Sequence, residues 1–126
     1  MHWLAIGLAL LVAFAIIAIG ALYVVNPRAA TRSFGLPLPE DGGNITWWLR
    51  LKGVRDIASG LAVLALMAWG PPGAVGIVLL VEAVIPVGDM LVILAAKGST
   101  GSAVGMHGVT AVLMVLAAMP LMIGVR

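Results

Sequence analysis

Five ionisable side chains sit inside otherwise apolar stretches of this chain, and their types are those of acid–base chemistry. "GVRDIASG" carries Arg55 and Asp56, "VEAVIPVGDM" carries Glu82 and Asp89, and "MHG" carries His107. A charged residue at the centre of a membrane helix costs about 2.5–3.5 kcal/mol on insertion scales. Three carboxyls turned toward lipid would cancel much of the drive to insert, so they are expected to face one another or a wet cavity. In a water-poor chamber, such groups can divide a proton transfer. One carboxyl kept neutral donates, while another kept ionised accepts a proton or activates water.

Spacing favours convergence. Glu82 and Asp89 are seven residues apart, which puts them on one face at 3.6 residues per turn. Pro86 shares that face and, lacking an N–H, deprives the Glu82 carbonyl of its intrahelical donor. Lys52, Asp56 and Ser59 make one polar stripe on the preceding helix. The face of His107 carries Ala103, Thr110, Ala111, Met114 and Ala118, mostly small side chains that admit a close neighbour or leave a cavity. Counting from the turns "GPPG" and "KGSTG" at about 1.5 Å per residue, Asp56, Asp89 and His107 come level, with Glu82 roughly 10 Å deeper.

What must hold these groups is a bundle of membrane helices. The chain has 126 residues, 63% of them hydrophobic and 10% charged, with a mean hydropathy of +1.19. Soluble domains carry about 25% charged residues, so a bilayer is the solvent that suits this composition. A span needs roughly 20 apolar residues. Four runs meet that, predicting one membrane domain with helices over about 3–25, 46–69, 74–97 and 101–125 and a loop over about 26–45. Short turns between the last three predict antiparallel neighbours. The fold class is therefore all-α, a polytopic membrane protein of four transmembrane helices in an antiparallel up-down bundle.

The first run has no basic residue ahead of it and exceeds the apolar core of about 7–15 residues in a signal peptide, so it reads as a retained span. Asn26-Pro27 reads as its stop. Asn44 or Thr46 reads as the N-cap of the second helix, in preference to the glycosylation sequon that Asn44-Ile45-Thr46 also spells. Arg28, Arg32, Arg50, Lys52, Arg55 and Lys97 fall on one side, against Arg126 on the other. The positive-inside rule then puts the long loop in the cytoplasm and both termini outside, in an inner or plasma membrane. Trp47 and Trp48 fit the cytoplasmic aromatic belt, and Trp69 the opposite one.

The absence of cysteine excludes disulfides and thiolate catalysis. Seven dispersed basic residues and a net charge of +2 do not make a nucleic-acid surface. A lone histidine within the spans gives no paired metal-ligand spacing, and no phosphate loop or dinucleotide fingerprint occurs, so no metal and no cofactor are expected. Gly101 and Gly105 have the spacing of a helix-packing motif, though the abundance of glycine is enough to produce it by chance.

The segments "NPRAATRSFGLP", "GVRDIASG", "PVGDMLV" and "MHG" resemble the small four-helix membrane proteins of domain of unknown function family 4267. The most specific pieces are Phe34 to Pro37, Arg55-Asp56 with Gly60, Pro86 with Asp89, and His107. The resemblance covers nearly the whole chain and implies four spans; it implies no activity.

Three functions compete. The first is an integral membrane enzyme doing acid–base chemistry on a lipophilic small molecule: epoxide hydrolysis or opening, isomerisation, or cyclisation. Asp56 and Asp89 would form the acid–base pair, Arg55 would hold their charge balance, and His107 would relay protons. Glu82 would lie at the cavity floor. Ser59 and Thr110 would line the site, and Phe34, Trp47 and Trp48 would rim an entrance from the inner leaflet. The second is a small proton-coupled transporter, working as a homo-oligomer. The third is a structural or accessory membrane subunit, in which Asp56 merely pairs with Lys52, Asp89 locks helices through Arg55, and His107 packs. Membrane lipids surround the chain in each case.

Overall fold

Residues 4–25 are almost all aliphatic, and one unbroken helix, α1 (His2–Val25), results. The face that α1 buries is lined by small residues, Ala5, Ala9, Ala13 and Gly20, with Val12 and Tyr23. The computed structural model describes residues 2–37, 40, 42 and 44–124, and these contain helices and no strand.

Asn26-Pro27 does more than end α1. The Asn26 side chain accepts a hydrogen bond from the Ala29 N–H at 3.2 Å, and Pro27 takes the first position of a second helix, α2 (Pro27–Phe34). An Asn cap followed by Pro starts a helix as readily as it stops one, because Pro has no N–H to leave orphaned there. The expected loop over 26–45 thus begins with an eight-residue helix. Gly35 closes α2 at φ 105°, a conformation open to glycine.

The next helix, α3 (Ile45–Trp69), starts after Asn44 as expected, but the Asn44 side chain makes no capping bond. The third apolar run is interrupted. Its two parts, α4 (Pro72–Glu82) and α5 (Val84–Ala95), meet at Ala83, three residues before the proline that cannot donate to the Glu82 carbonyl. The last run opens with one short turn, α6 (Thr100–Ser102), whose capping Ser99 hydroxyl accepts from the Ser102 N–H at 3.2 Å. It widens into a π-helical segment, Ala103–Gly108, then continues as α7 (Val109–Ile123).

Among the described residues, three stretches are long and apolar enough to cross a membrane: His2–Val25, Pro72–Ala95 and Thr100–Ile123. The fourth candidate, α3, has the length, yet Lys52, Arg55 and Asp56 interrupt its apolar character. The predicted end of the last helix at residue 125, Arg126, and loop positions 38, 39, 41 and 43 lie outside the described residues.

Most packing runs through α1, which lies along α3 and against α7; α4 also packs on α7, and α5 on the π-helical segment. The core joins Ala9, Val63, Val75, Leu79, Met114 and Leu121. The closest approach is between α1 and α3, where Gly20 faces Gly53 and Gly60 faces Ala13 and Ile17. Gly101 and Gly105, by contrast, pack against almost nothing: a Cβ at Gly105 would meet no atom within 4 Å.

The turn after α5 ties the loop to the bundle. The Gly98 N–H reaches the Ile93 carbonyl at 2.9 Å and the Lys97 N–H the Leu94 carbonyl at 3.1 Å, the paired bonds of a Schellman end. Ser99 then donates its N–H to the Gly35 carbonyl at 2.7 Å. Lys97 occupies the left-handed position at φ 54°, where glycine is usual. Lys97→Gly is therefore expected to stabilise the fold by about 1 kcal/mol by removing that strain; unfolding titrations in detergent that show no gain would contradict this.

Candidate functional site

Lys52 and Asp56 are one turn apart on α3, the spacing at which helical side chains meet. The Lys52 ammonium lies 2.7 Å from the Asp56 carboxylate, and Asp56 is only 8% exposed. The same ammonium sits 4.7 Å from the Tyr23 ring centre and 5.2 Å from that of Phe34. A cation over two aromatic faces gains from the ring quadrupoles while it is withdrawn from water. Arg55 does not hold Asp56. One residue further round the helix, it is exposed and makes no hydrogen bond or ion pair with the described residues, so neither the expected charge balance nor an Arg55–Asp89 lock is formed.

Across from α3, Asp89 on α5 meets His107. The Asp89 carboxylate is 3.5 Å from His107 Nδ1, and His107 Nε2 is 3.1 Å from the Phe34 carbonyl. A carbonyl only accepts, so Nε2 is the nitrogen that carries a proton in this geometry. Nδ1 is then left facing the Asp89 carboxyl. The Phe34 ring covers the imidazole edge-on, with centres 4.7 Å apart, and meets Tyr23 likewise at 6.5 Å. These contacts require α2 to be helical, since that places Phe34 back over the bundle.

The π-helical segment contains His107. Its wider turn shifts side-chain directions relative to a regular helix, and the Thr110 hydroxyl donates to the Met106 carbonyl within it at 2.7 Å. Thr110 is thus engaged with backbone. Ala103, Ala111, Met114 and Ala118 are buried, as their shared face predicts.

A half-open cleft of about 320 Å³ brings the two acids together. Trp48, Leu51, Lys52, Arg55 and Asp56 line it from α3, and Ile85 and Asp89 from α5. His107 stands behind Asp89. Asp56 and Asp89 line one cleft and His107 touches Asp89, so the three share one neighbourhood. Glu82 is not in the lining. It is half-buried beside the Ser59 hydroxyl, which is itself buried, so both belong to a separate polar spot rather than to the floor of the cleft. Trp47 is exposed outside the lining, with the Arg50 guanidinium 4.8 Å from its ring centre. Arg50 also donates from Nε to the Val24 carbonyl at 3.1 Å. Phe34 is not at the rim; it lies against His107.

Lys52 pairs with Asp56 in place of Arg55, the contact that their spacing predicts. One residue stands out that the spacing argument does not select. Tyr23 is 2% exposed and its ring lies under the Lys52 ammonium, so the first helix contributes a polar side chain to the site. A single tyrosine near the end of an apolar run reads as an interface residue, and only its position three residues after Gly20 hints otherwise.

No curated protein and no solved structure matches this chain. A family model does, that of a domain of unknown function (DUF4267), over residues 13–121, a stretch that includes Tyr23, Lys52, Asp56, Asp89 and His107. By this match over most of its length, the chain belongs to the DUF4267 family.

Proposed function

We propose that this protein is an integral membrane enzyme that performs acid–base chemistry on a lipophilic small molecule, with Asp56 and Asp89 as the reacting pair. The observation that carries this reading is the cleft itself: two carboxyls from different helices face one space, each with its own basic partner. Asp56, ion-paired with Lys52, is the group to accept a proton. The Asp89 carboxyl, with the His107 imidazole 3.5 Å away, is the group to donate one. For an epoxide, Asp89 delivers a proton to the ring oxygen as a C–O bond breaks. Water forms the new C–O bond and passes its proton to Asp56, so the net change is addition of water. An isomerisation or a cyclisation uses the same two transfers without water.

In this reading the chain crosses the membrane four times with antiparallel neighbours. At 1.5 Å per residue the 25-residue α3 is about 37 Å long, enough to span, and its charges are offset by the cleft, the ion pair and two aromatic rings. The loop and Lys97 face the cytoplasm, the termini face outside, and the cleft opens to the inner leaflet. Proton-coupled transport has one supporting observation, the Glu82–Ser59 spot on the same α3–α4 side. A purely structural role is less favoured, because Asp56 and Asp89 line an open cleft rather than a direct contact with each other.

The test compares the membrane-extractable metabolites of cells expressing the wild type, Asp89→Asn and Asp56→Asn. General acid–base groups contribute about 10²–10⁴-fold, so either variant is expected to lower product formation at least about 100-fold while remaining folded. Folded variants that leave the metabolite profile as in the wild type would sink the proposal.

A further inference from the structure

The cleft lies between two helices that scarcely touch. α3 packs along α1 and only sparsely on α4, and it meets α5 less still. The walls therefore part sideways, toward the acyl chains, as well as toward the Trp48 end. Small-molecule sites begin at about 300 Å³, so a cleft of about 320 Å³ takes a head group and the first carbons of a chain. It does not take a whole two-chain lipid. Leu51 and Ile85 supply the apolar part of the wall.

Charge narrows the ligand further. Within the lining, Lys52 is ion-paired with Asp56 at 2.7 Å, and Asp89 faces His107 at 3.5 Å. That leaves Arg55 as the cleft cation without a hydrogen bond or ion pair among the described residues. A guanidinium presents a planar fork of donors that suits a carboxylate or phosphate. Trp47 and Trp48, with Arg50 over Trp47, mark the head-group level of α3. Arg55 lies seven residues beyond Trp48, about 10 Å deeper along the helix, a depth from which its long side chain can reach the interface.

We infer that the cleft binds a single-chain amphiphile with an anionic head group, held by Arg55, whose tail leaves between α3 and α5 into the bilayer. As a statement about the substrate this rests on the acid–base reading above; as a binding site it stands alone. The amphiphile enters from the membrane and presents its first carbons between Asp56 and Asp89.

Binding is tested with the full chain in nanodiscs of phosphatidylcholine, titrated with palmitate, hexadecanol, acetate and phosphatidylglycerol and read by calorimetry and by tryptophan fluorescence. Palmitate is expected to saturate at one per chain, with hexadecanol at least 10-fold weaker, acetate silent, and phosphatidylglycerol unable to displace palmitate. Arg55→Gln should weaken palmitate at least 10-fold and leave hexadecanol unchanged, while Arg55→Lys restores part of the affinity. Leu51→Trp, which fills the cleft wall and leaves Arg55 in place, should abolish palmitate binding. The inference is overturned if Arg55→Gln binds palmitate like the wild type, if hexadecanol binds as tightly, if acetate competes, or if phosphatidylglycerol displaces palmitate. Asp89→Asn separates the two readings. Retained palmitate binding with lost turnover supports both, whereas unaltered turnover with Arg55-dependent binding removes the acid–base reading and keeps this one.

Discussion

Gly53→Ala is expected to destabilise the protein by about 3 kcal/mol, the upper end of what overpacking one methyl ordinarily costs. A Cβ at Gly53 would lie 2.5 Å from the Gly20 carbonyl oxygen and 2.9 Å from the Tyr23 Cβ. The first of these is backbone of a facing helix, so no rotamer change relieves it; α1 must retreat along the whole crossing. That crossing is the most extensive packing in the molecule, and Tyr23, which supports Lys52, rides on it. In membranes, close approach of backbones is the main source of helix association. Gly7→Ala is the matched control, since a Cβ there meets nothing within 4 Å and the helix should gain up to about 1 kcal/mol. Equal stability of the two variants in detergent denaturation would show that α1 and α3 do not meet as described.

Lys52→Met is expected to cost about 3 kcal/mol, and the double variant Lys52→Met/Asp56→Asn to recover most of that loss. Breaking a buried ion pair from one side costs roughly 3–5 kcal/mol because it leaves the other charge buried and unmatched. The lower figure applies because the Lys52 side chain keeps 32% of its surface exposed, against 11% for Asp56. Removing both charges removes the stranded carboxylate, and replacing a pair with neutral groups is often nearly neutral for stability. Were the double variant as unstable as Lys52→Met alone, the loss would come from the contacts of Lys52 with Tyr23 and Phe34, not from the ion pair.

The metabolite test and these stability tests are complementary. Asp56→Asn removes the proton acceptor but leaves Lys52 partly exposed and able to reach solvent, so its effect on turnover should exceed its effect on folding. Lys52→Met reverses the order.

Much of this molecule was legible from residue order. Composition alone calls for membrane helices, because 63% hydrophobic residues cannot be covered by so few charges in water. Helix positions follow from the apolar runs and their Gly and Pro boundaries. The grouping of Asp56, Asp89 and His107 follows from counting along helices of fixed rise, and Pro86 marks the lost donor to Glu82 although the third run reads as one helix. These are local properties, in which each residue acts on neighbours a few positions away.

What residue order left open depends on which surfaces meet. Asn26-Pro27 is compatible with an end or a beginning, and only the seat that α2 finds over His107 decides for a helix. Arg55 and Lys52 are both near Asp56 in the chain, yet the docking of α3 on α1 turns Lys52 inward over Tyr23 and leaves Arg55 outside. The Gly101-Gly105 spacing has the form of a packing motif, while the actual contact joins Gly20, Gly53 and Gly60, whose distance in sequence hides their proximity. The π-helical turn at His107 likewise has no periodic signature. In each case the deciding free energy is long-range packing and desolvation between helices, which exists only once the bundle has assembled.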